Sequence, residues 1–360
     1  MLESLVFPGD VRVDAERMHA FGVRAMTAIG VPEEHARMSA DVLLRSDLRG
    51  IESHGFARFN DMYMTRLRAS AINKTPNVRV LQDSPVAATL DGDGGLGFVP
   101  GTAGMKLAIE KARASGLGMV AVRNSSHYGP GSPYALMALE HPGLIGISMT
   151  TAGNIVAPPG GAKRLYGSNV IAFVAPCRAP EAAFCLDMAT STVAAGKFEI
   201  ARRRGKAVPD KWGIDANGNY IQDDPNLYFE GGAILPLGAD VEHGAWKGFG
   251  LSVMVDILCG VLSGGRASAE LKSPSANHFF GALNIEAFTE LESFYDEMAS
   301  MKATLRAAPR LPGAGPLTFA GEPEALKEAD YRANGVPYHP SILEGLRRLA
   351  GEIGVEYDLE

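Results

Sequence analysis

The stretch Val86-Ala-Ala-Thr-Leu-Asp-Gly-Asp-Gly-Gly-Leu-Gly97 decides between two kinds of α/β fold. Its apolar first half predicts a strand, and a predicted helix over Thr102 to Ala114 follows it. Between the two, Gly92 to Gly97 match the G-x-G-x-x-G pattern. In doubly wound parallel sheets, this pattern brings a pyrophosphate to a helix N-terminus. The stretch is therefore a candidate phosphate site.

Two features of the same region argue against that site. The next predicted strand, Met119 to Val122, is followed by Arg123 and Asn124. A dinucleotide-binding sheet has an acidic residue there, which holds the ribose hydroxyls. Asp91 and Asp93 also place two carboxylates beside the proposed anion. A glycine-rich turn that only joins a strand to a helix is the alternative, and both interpretations stay open at this point.

Outward from this turn, the chain alternates between predicted strands and helices. Short β-branched runs, such as Leu144 to Ile147, alternate with helical segments over residues 78–189, which is typical of an α/β sheet. Both ends of the chain are predicted to be helical. Asp14 to Ile29 carries an apolar stripe, and Ser341 to Gly351 begins with a capping box and ends at a glycine. Phe249 to Leu262 predicts a buried helix, too short to span a bilayer.

The composition is typical of a globular chain of about two domains. The 360 residues are 46% hydrophobic and 21% charged, with a net charge of −7. No basic block stands out, which argues against nucleic-acid binding. Three cysteines, Cys177, Cys185 and Cys259, are too few and too scattered for a disulfide framework or a zinc site, so they predict reduced thiols in the cytoplasm. Residues 1–10 lack the pattern of a signal peptide, and no membrane segment is expected.

A second stretch concentrates groups suited to acid–base chemistry. Asp47-Leu-Arg-Gly-Ile-Glu-Ser-His-Gly-Phe-Ala-Arg58 places two arginines around a serine and a histidine. Arg49 and Arg58 can each bind a carboxylate, and His54 can exchange a proton near neutral pH. A structural histidine with solvated arginines is the alternative. A serine hydrolase is disfavoured, because Ser53 and His54 are expected to point apart and the sequence has no G-x-S-x-G motif.

The same stretch resembles the signature of the type 2 malate/L-lactate dehydrogenase family. That family also includes sulfolactate and ureidoglycolate dehydrogenases and reductases of cyclic imine carboxylates. Further blocks resemble the family along most of the chain: Leu90–Gly97, Asn124–Gly129, Ala157–Gly161, Leu186–Ser191, Leu235–Gly238, Trp246–Gly250 and His278–Phe280. So many blocks in one order argue against a chance match.

The resemblance implies an α/β fold unlike the Rossmann type. It combines a mixed-sheet nicotinamide-binding domain with a helical domain built from N- and C-terminal segments. Residues 1–80 and 306–360 are predicted to form the helical domain, on the dimerisation and substrate side. Residues 81–305 are predicted to form the α/β cofactor-binding domain, with room for a further subdivision. Under this interpretation Gly92 to Gly97 form a structural turn, and the protein is a homodimer with its site near the subunit interface.

The resemblance also implies roles for individual residues. His54 is similar to the family's proton donor, and Ser53 and Asp187 are similar to its relay partners. His127 is a second candidate for acid–base work. The implied cofactor-binding residues are His127, Asp187, Met188, Ala189, Thr190, Ser191, Trp246, Lys247, Pro312 and Gly313. Plain core packing for Trp246 and a solvated charge for Lys247 are the alternatives.

The implied activity is hydride transfer between NAD or NADP and a small 2-hydroxy acid/2-oxo acid pair of the malate, lactate or sulfolactate type. Arg58 or Arg49 binds the substrate carboxylate, His54 donates the proton, and no metal is needed. One alternative is NADPH-dependent reduction of a cyclic imine carboxylate of the piperideine or pyrroline type. Another is a catalytically silent homologue that binds a nucleotide, although the intact Ser53, His54 and Asp187 favour an enzyme.

Overall fold

The structure is a computed structural model that describes residues 7–359. Its strands are β1 (Val11–Val13), β2 (Arg79–Asp83), β3 (Ala87–Asp91), β4 (Leu117–Ser126), β5 (Leu144–Thr150), β6 (Val170–Ala175), β7 (Phe184–Ala189), β8 (Gly213–Ile214), β9 (Ala233–Ile234), β10 (Ser275–Asn284) and β11 (Val336–Tyr338). Its α-helices are α1 (Ala15–Ala28), α2 (Glu33–Leu48), α3 (Thr65–Arg68), α4 (Phe98–Ser115), α5 (Ser132–Ala135), α6 (Ala195–Arg203), α7 (Asn226–Phe229), α8 (Ala245–Val255), α9 (Leu291–Ala307), α10 (Glu322–Asn334) and α11 (Pro340–Ile353). A π-helical segment, Phe59–Met64, leads into α3, and another, Asp256–Val261, continues α8.

The main sheet has seven strands in the order β2-β3-β4-β10-β5-β6-β7. Strands β3 and β4 run parallel and are joined by the crossover helix α4, whereas the other neighbouring pairs of this sheet run antiparallel. A Rossmann sheet is built from parallel strands. The predicted mixed-sheet, non-Rossmann α/β fold is therefore confirmed.

The glycine-rich turn after β3 is tied to the end of β4. The amides of Gly92 and Gly94 donate to the carbonyl oxygens of residues 123 and 124, at 2.9 and 2.8 Å. The amide of Gly97 donates to the hydroxyl of Ser126, at 3.1 Å. Amides that cradle a phosphate must be free to face it. Since these amides bind the protein's own backbone and side chains, the turn is structural.

The two ends of the chain pack together and against the sheet. Strand β1 pairs antiparallel with β11, with Val11 opposite Tyr338. Helix α1 packs on α2 and α11, and α2 also contacts α10. One continuous core joins these helices to the sheet and to α4; it includes Phe21, Leu43, Phe98, Phe280 and Leu346. A helical layer built from both ends is thus present, while the domain boundaries given above stay a prediction.

A second, smaller core holds α6 in place. Phe198 of α6 is buried and stacks on Tyr228, with ring centroids 4.6 Å apart. Val156, Ile221 and Ile234 belong to the same buried cluster. Residues of this small core come from the loop between β5 and β6 and from the segment between β7 and α8, which together form a compact unit beside the main sheet.

The capping box predicted at Ser341 is wrong. Helix α11 begins at Pro340, and the side chain of His339 caps it by accepting from the backbone N–H of Ser341, at 3.2 Å. A proline fits the first helical position because its φ is already helical and its missing N–H would have no partner there. At the other end, Gly354 has a φ of 72° and ends the helix.

The helix predicted to be buried over Phe249 to Leu262 is only half-buried. Trp246, Met254, Ile257 and Val261 follow each other at helical spacing and are 57%, 37%, 52% and 61% exposed. The opposite face, with Val255 and Cys259, is buried on the sheet. We call the four exposed side chains the apolar stripe.

Two further expectations concern the surroundings of the chain. The three cysteines are free thiols, and Cys185 and Cys259 are buried. The cytoplasmic location stays a prediction. In the described part of the chain, no helix combines the length and the apolar character that a membrane crossing requires.

Gly97→Ala tests the structural interpretation of the turn. An added Cβ would lie 2.2 Å from the carbonyl oxygen of Ser126 and 2.6 Å from that of His127. Because backbone cannot yield as a flexible side chain does, we expect the free energy of unfolding to fall by about 2 kcal/mol or more in urea denaturation. Gly250→Ala is the matched control, since nothing lies within 4 Å of its added Cβ. Equal stability of the two variants would contradict this description.

Candidate active site

A cleft of about 1520 Å³ opens between the main sheet, α6 and the packed chain ends. Its walls come from the segment between α2 and α3, the turn after β4, strand β7 with the start of α6, and the residues that precede α10. Pockets for single small ligands have volumes of about 300–1,000 Å³. The cleft therefore has room for a large ligand together with a small one.

Ser53 and His54 lie on one wall of this cleft. Helix α2 ends at Leu48, Gly50 turns the chain with a φ of 71°, and a 3-10 turn over Glu52–His54 follows. The Ser53 hydroxyl and the His54 Nδ1 are 2.8 Å apart and hydrogen bonded. The expectation that these neighbouring side chains point apart is wrong, because the segment is a 3-10 turn and not an extended strand.

His127 faces His54 across the cleft wall. The two imidazole rings are stacked, with centroids 5.6 Å apart and planes 14° from parallel. The hydroxyl of Tyr63 lies 2.8 Å from Nδ1 of His127, and the amide of Gly129 donates to the same nitrogen at 3.2 Å. An amide N–H can only donate, so Nδ1 is the acceptor and the neutral ring carries its proton on Nε2.

Both histidines are half-buried and lie beside positively charged groups. Burial, followed by the charge of Arg58, lowers the pKa of His54 to about 4. Burial also lowers the pKa of His127 well below its usual value, with further contributions from His54, Arg58 and Arg66. Each ring is therefore neutral at neutral pH, and a proton on one of them disfavours a proton on the other.

Asp187 lies in the same cleft on β7, but its hydrogen bonds go elsewhere. Its carboxylate accepts from the amides of Gly131 and Ser132, at 3.3 and 2.7 Å, and burial raises its pKa. No hydrogen bond joins Asp187 to His54 in the described structure, so its role as a relay partner stays a prediction.

Residues 7–359 contain no group of three or more His, Cys, Asp or Glu side chains that could hold a metal ion.

The two arginines predicted to bind a carboxylate both line the cleft. Arg58 forms an ion pair with Glu199 of α6, at 2.5 Å, and donates to the carbonyl oxygen of Ser53, at 3.0 Å. Arg49 is buried and pairs with Glu328, at 3.3 Å. The Nε atom of Arg49 is buried without a hydrogen-bond partner in the described structure. Both guanidinium groups thus line the cleft, and each already has a carboxylate partner.

Helix α6 is fastened to the wall that carries His54. An added Cβ at Gly196 would lie 2.5 Å from the Cβ of Ser53, so the helix sits directly on the serine. Besides the pair between Glu199 and Arg58, Arg203 forms an ion pair with Glu52 at 3.1 Å. The first turn of α6 therefore forms part of the cleft.

The predicted cofactor-binding residues divide into two groups. Met188, Ala189 and Ser191 line the cleft with Asp187. Thr190 is buried next to them, and its hydroxyl donates to the carbonyl oxygen of Ser168, at 3.1 Å. The Ser191 hydroxyl likewise donates within the chain, to Val193 at 2.7 Å, so both hydroxyls keep only their acceptor capacity for a ligand.

The second group lies outside the cleft of the single chain. Trp246 and Lys247 are exposed at the start of α8, and Pro312 and Gly313 are exposed in the loop before α10. From that loop, Thr318 to Gly321 line the cleft instead. The roles predicted for Trp246, Lys247, Pro312 and Gly313 stay predictions.

Sequence reasoning missed three residues of the site. The hydroxyl of Tyr63 contacts His127. Arg66 lies about one turn beyond Tyr63, on α3. Arg58, Met62 and Arg66 are four residues apart in sequence, and all three line the cleft. This spacing could have indicated that they share one face of a helix. The third missed residue is Asp47. It is the first residue of the Asp47–Arg58 stretch, and its side chain is buried.

Asp47 fixes the loop that carries His54. Its carboxylate is buried and accepts from the amide of Phe56, at 2.9 Å, and from the hydroxyl of Tyr338 on β11, at 2.7 Å. An added Cβ at Gly55 would lie 1.7 Å from Oδ1 of Asp47, so only glycine fits there. Burial raises the pKa of Asp47 to about 7.

Comparison with known proteins agrees with this geometry. A family model described as malate/L-lactate dehydrogenase matches residues 13–347. The chain belongs to the malate/L-lactate dehydrogenase family. This membership confirms both the predicted family and the predicted oxidoreductase class.

Several members of the malate/L-lactate dehydrogenase family are similar over almost the whole chain. A malate dehydrogenase of Pyrococcus abyssi is 43% identical over 352 residues, which cover 96% of each chain. An L-sulfolactate dehydrogenase of Methanocaldococcus jannaschii is 31% identical, covering 93% of this chain and 95% of the relative. The crystal structure of malate dehydrogenase from Entamoeba histolytica superposes with a TM-score of 0.92, at 34% identity, and covers 97% of this chain and 100% of that one.

Asp47→Asn tests the buried carboxylate through the pH dependence of stability. The folded-state pKa of about 7 lies above the ordinary value of 3.8, so the folded protein keeps a proton that the unfolded chain releases. The free energy of unfolding of the wild type, relative to Asp47→Asn, should therefore fall as the pH rises from about 4 to about 7, by up to about 4 kcal/mol.

The measurement is urea denaturation of both proteins across this pH range. Asp61→Asn, at an exposed position on the segment before α3, controls for the change of residue type. A difference between wild type and Asp47→Asn that stays constant with pH would contradict the burial of an ionisable carboxyl at this position.

Proposed function

We propose that this protein transfers a hydride between a nicotinamide cofactor, NAD or NADP, and a small 2-hydroxy acid/2-oxo acid pair of the malate type. The observation that carries the proposal is the neutral, half-buried His54, held by Ser53 beside the cation of Arg58 in a large cleft. Similarity to relatives named malate and sulfolactate dehydrogenase supports the same substrate class.

In the oxidation direction, His54 accepts the proton of the substrate hydroxyl. Arg58 binds the carboxylate next to the reacting carbon. That carboxylate offsets the charge of Arg58, which lowers the pKa of His54 in the free protein, so substrate binding makes His54 a stronger base. In the reduction direction, His54 returns the proton to the oxygen. The cofactor, when bound, supplies the hydride chemistry.

Several groups in the cleft fit a nicotinamide dinucleotide. Asn154 lines the cleft, and its Oδ1 atom is buried without a partner in the described structure, so a ligand donor that reaches it would satisfy it. Helix α6 begins at Ala195 without a side-chain cap, and Lys197 stands in its first turn. An uncapped helix start beside a lysine favours phosphate groups. Met188, Ala189 and Ser191 line the same part of the cleft.

The test is oxidation of NADH and of NADPH over a panel of oxaloacetate, pyruvate, sulfopyruvate and cyclic imine carboxylates. We expect turnover on the 2-oxo acids. His54→Ala should lower kcat by about 10²- to 10⁴-fold, because it removes the group that exchanges the proton with the substrate oxygen, while the cofactor affinity stays unchanged.

His243→Ala is the matched control, since His243 is exposed and lies outside the cleft. Turnover on cyclic imines alone would replace the proposed substrate class with the imine carboxylates. Cofactor binding without any turnover would leave the nucleotide-binding homologue, and full activity of His54→Ala would contradict the role of His54.

We also propose that the protein is a homodimer assembled through the apolar stripe of Trp246, Met254, Ile257 and Val261. Several exposed apolar side chains along one helix are typical of an interface. Light scattering should give twice the mass of one chain, and Ile257→Glu should shift the protein to the monomer because it buries a charge in the interface. Met301→Glu, at an exposed position on α9 and outside residues 306–360, is the control. A monomeric wild type would contradict the proposal.

A further inference from the structure

Arg66 differs from the other arginines that line the cleft. Arg49 is paired with Glu328, Arg58 with Glu199, and Arg204 with Asp10 and Glu52. Arg66 forms no ion pair with any residue of the described chain. Its one hydrogen bond is a long one of 3.4 Å, from Nη2 to the hydroxyl of Ser273. A cation that faces a cleft without a carboxylate partner is available to an anionic ligand.

The position of Arg66 relative to the histidines indicates which part of a ligand it meets. Arg58, Met62 and Arg66 follow at four-residue spacing along one helical face, and all three line the cleft. Arg58 donates to the carbonyl oxygen of Ser53, the residue before His54. Arg66 lies eight residues further along the same face and follows Tyr63, whose hydroxyl contacts His127, so it is placed beyond Arg58 on the side of His127.

We propose that Arg66 binds the second, distal anionic group of a dianionic 2-oxo acid or 2-hydroxy acid and so selects dianions over monocarboxylates. This inference rests on the proposed function, in which Arg58 holds the carboxylate beside the reacting carbon. A substrate with one carboxylate satisfies Arg58 and leaves Arg66 without an anion. A substrate with a second carboxylate or a sulfonate neutralises both guanidinium groups.

The experiment compares oxaloacetate with pyruvate, which lacks the second carboxylate. Arg66→Gln should lower kcat/KM for oxaloacetate by about 10- to 100-fold, the size of one lost hydrogen bond to a charged group, and change that for pyruvate by less than about 3-fold. Arg66→Lys keeps the charge but loses the planar fork, so it should recover part of the loss on oxaloacetate.

Arg68→Gln is the matched control. Arg68 lies two residues further on, is exposed and pairs with Glu352, so neither substrate should be affected. The melting temperature of each variant, measured alongside, identifies any variant that fails to fold, and Arg66→Lys then carries the comparison.

The outcomes separate the two claims. An equal loss of kcat/KM on both substrates, or no loss on oxaloacetate, overturns the assignment of Arg66 and leaves the proposed function in place. A wild-type protein that turns over none of oxaloacetate, pyruvate and sulfopyruvate overturns the proposed function, and the assignment of Arg66 with it.

Discussion

The two hydrogen bonds of the Asp47 carboxylate connect three distant parts of the chain. Asp47 stands near the end of α2, Phe56 follows the histidine loop, and Tyr338 comes from β11 at the other end of the sequence. Because β11 also pairs with β1, the same carboxylate links the reaction site to the joined chain ends. A buried carboxyl is costly unless its oxygens are satisfied, so this arrangement holds only when all three parts are in place.

The remainder of the site is arranged around the wall that Asp47 fixes. Helix α6 packs directly against Ser53, and its Glu199 forms an ion pair with Arg58. His127 follows β4 in sequence and stacks on His54. The main sheet and the small core of α6 therefore meet at His54. Burial keeps both imidazoles neutral, and the neighbouring guanidinium groups keep the cleft attractive to anions. A carboxylate substrate can approach these guanidinium groups beside His54.

Local sequence patterns predicted the alternation of strands and helices, but they did not predict which strands pair with each other in the sheet. Strand β10 lies between β4 and β5, although more than 120 residues separate β5 from β10 in sequence, and no local period records that neighbourhood. Resemblance to family blocks supplied the mixed sheet. The motif around His54 indicated the reactive groups because their chemistry is visible in residue type. Asp47 and Tyr63 were missed because their roles depend on partners distant in sequence, Tyr338 and His127.

We infer that proton and hydride transfer take place in the cleft beside His54. A crystal structure of the protein with NADH or NADPH and succinate, an unreactive dicarboxylate, would test this inference. We expect the nicotinamide ring in the cleft, next to a succinate that contacts His54 and Arg58. A cofactor bound outside the cleft, or a dicarboxylate held away from His54, would contradict it.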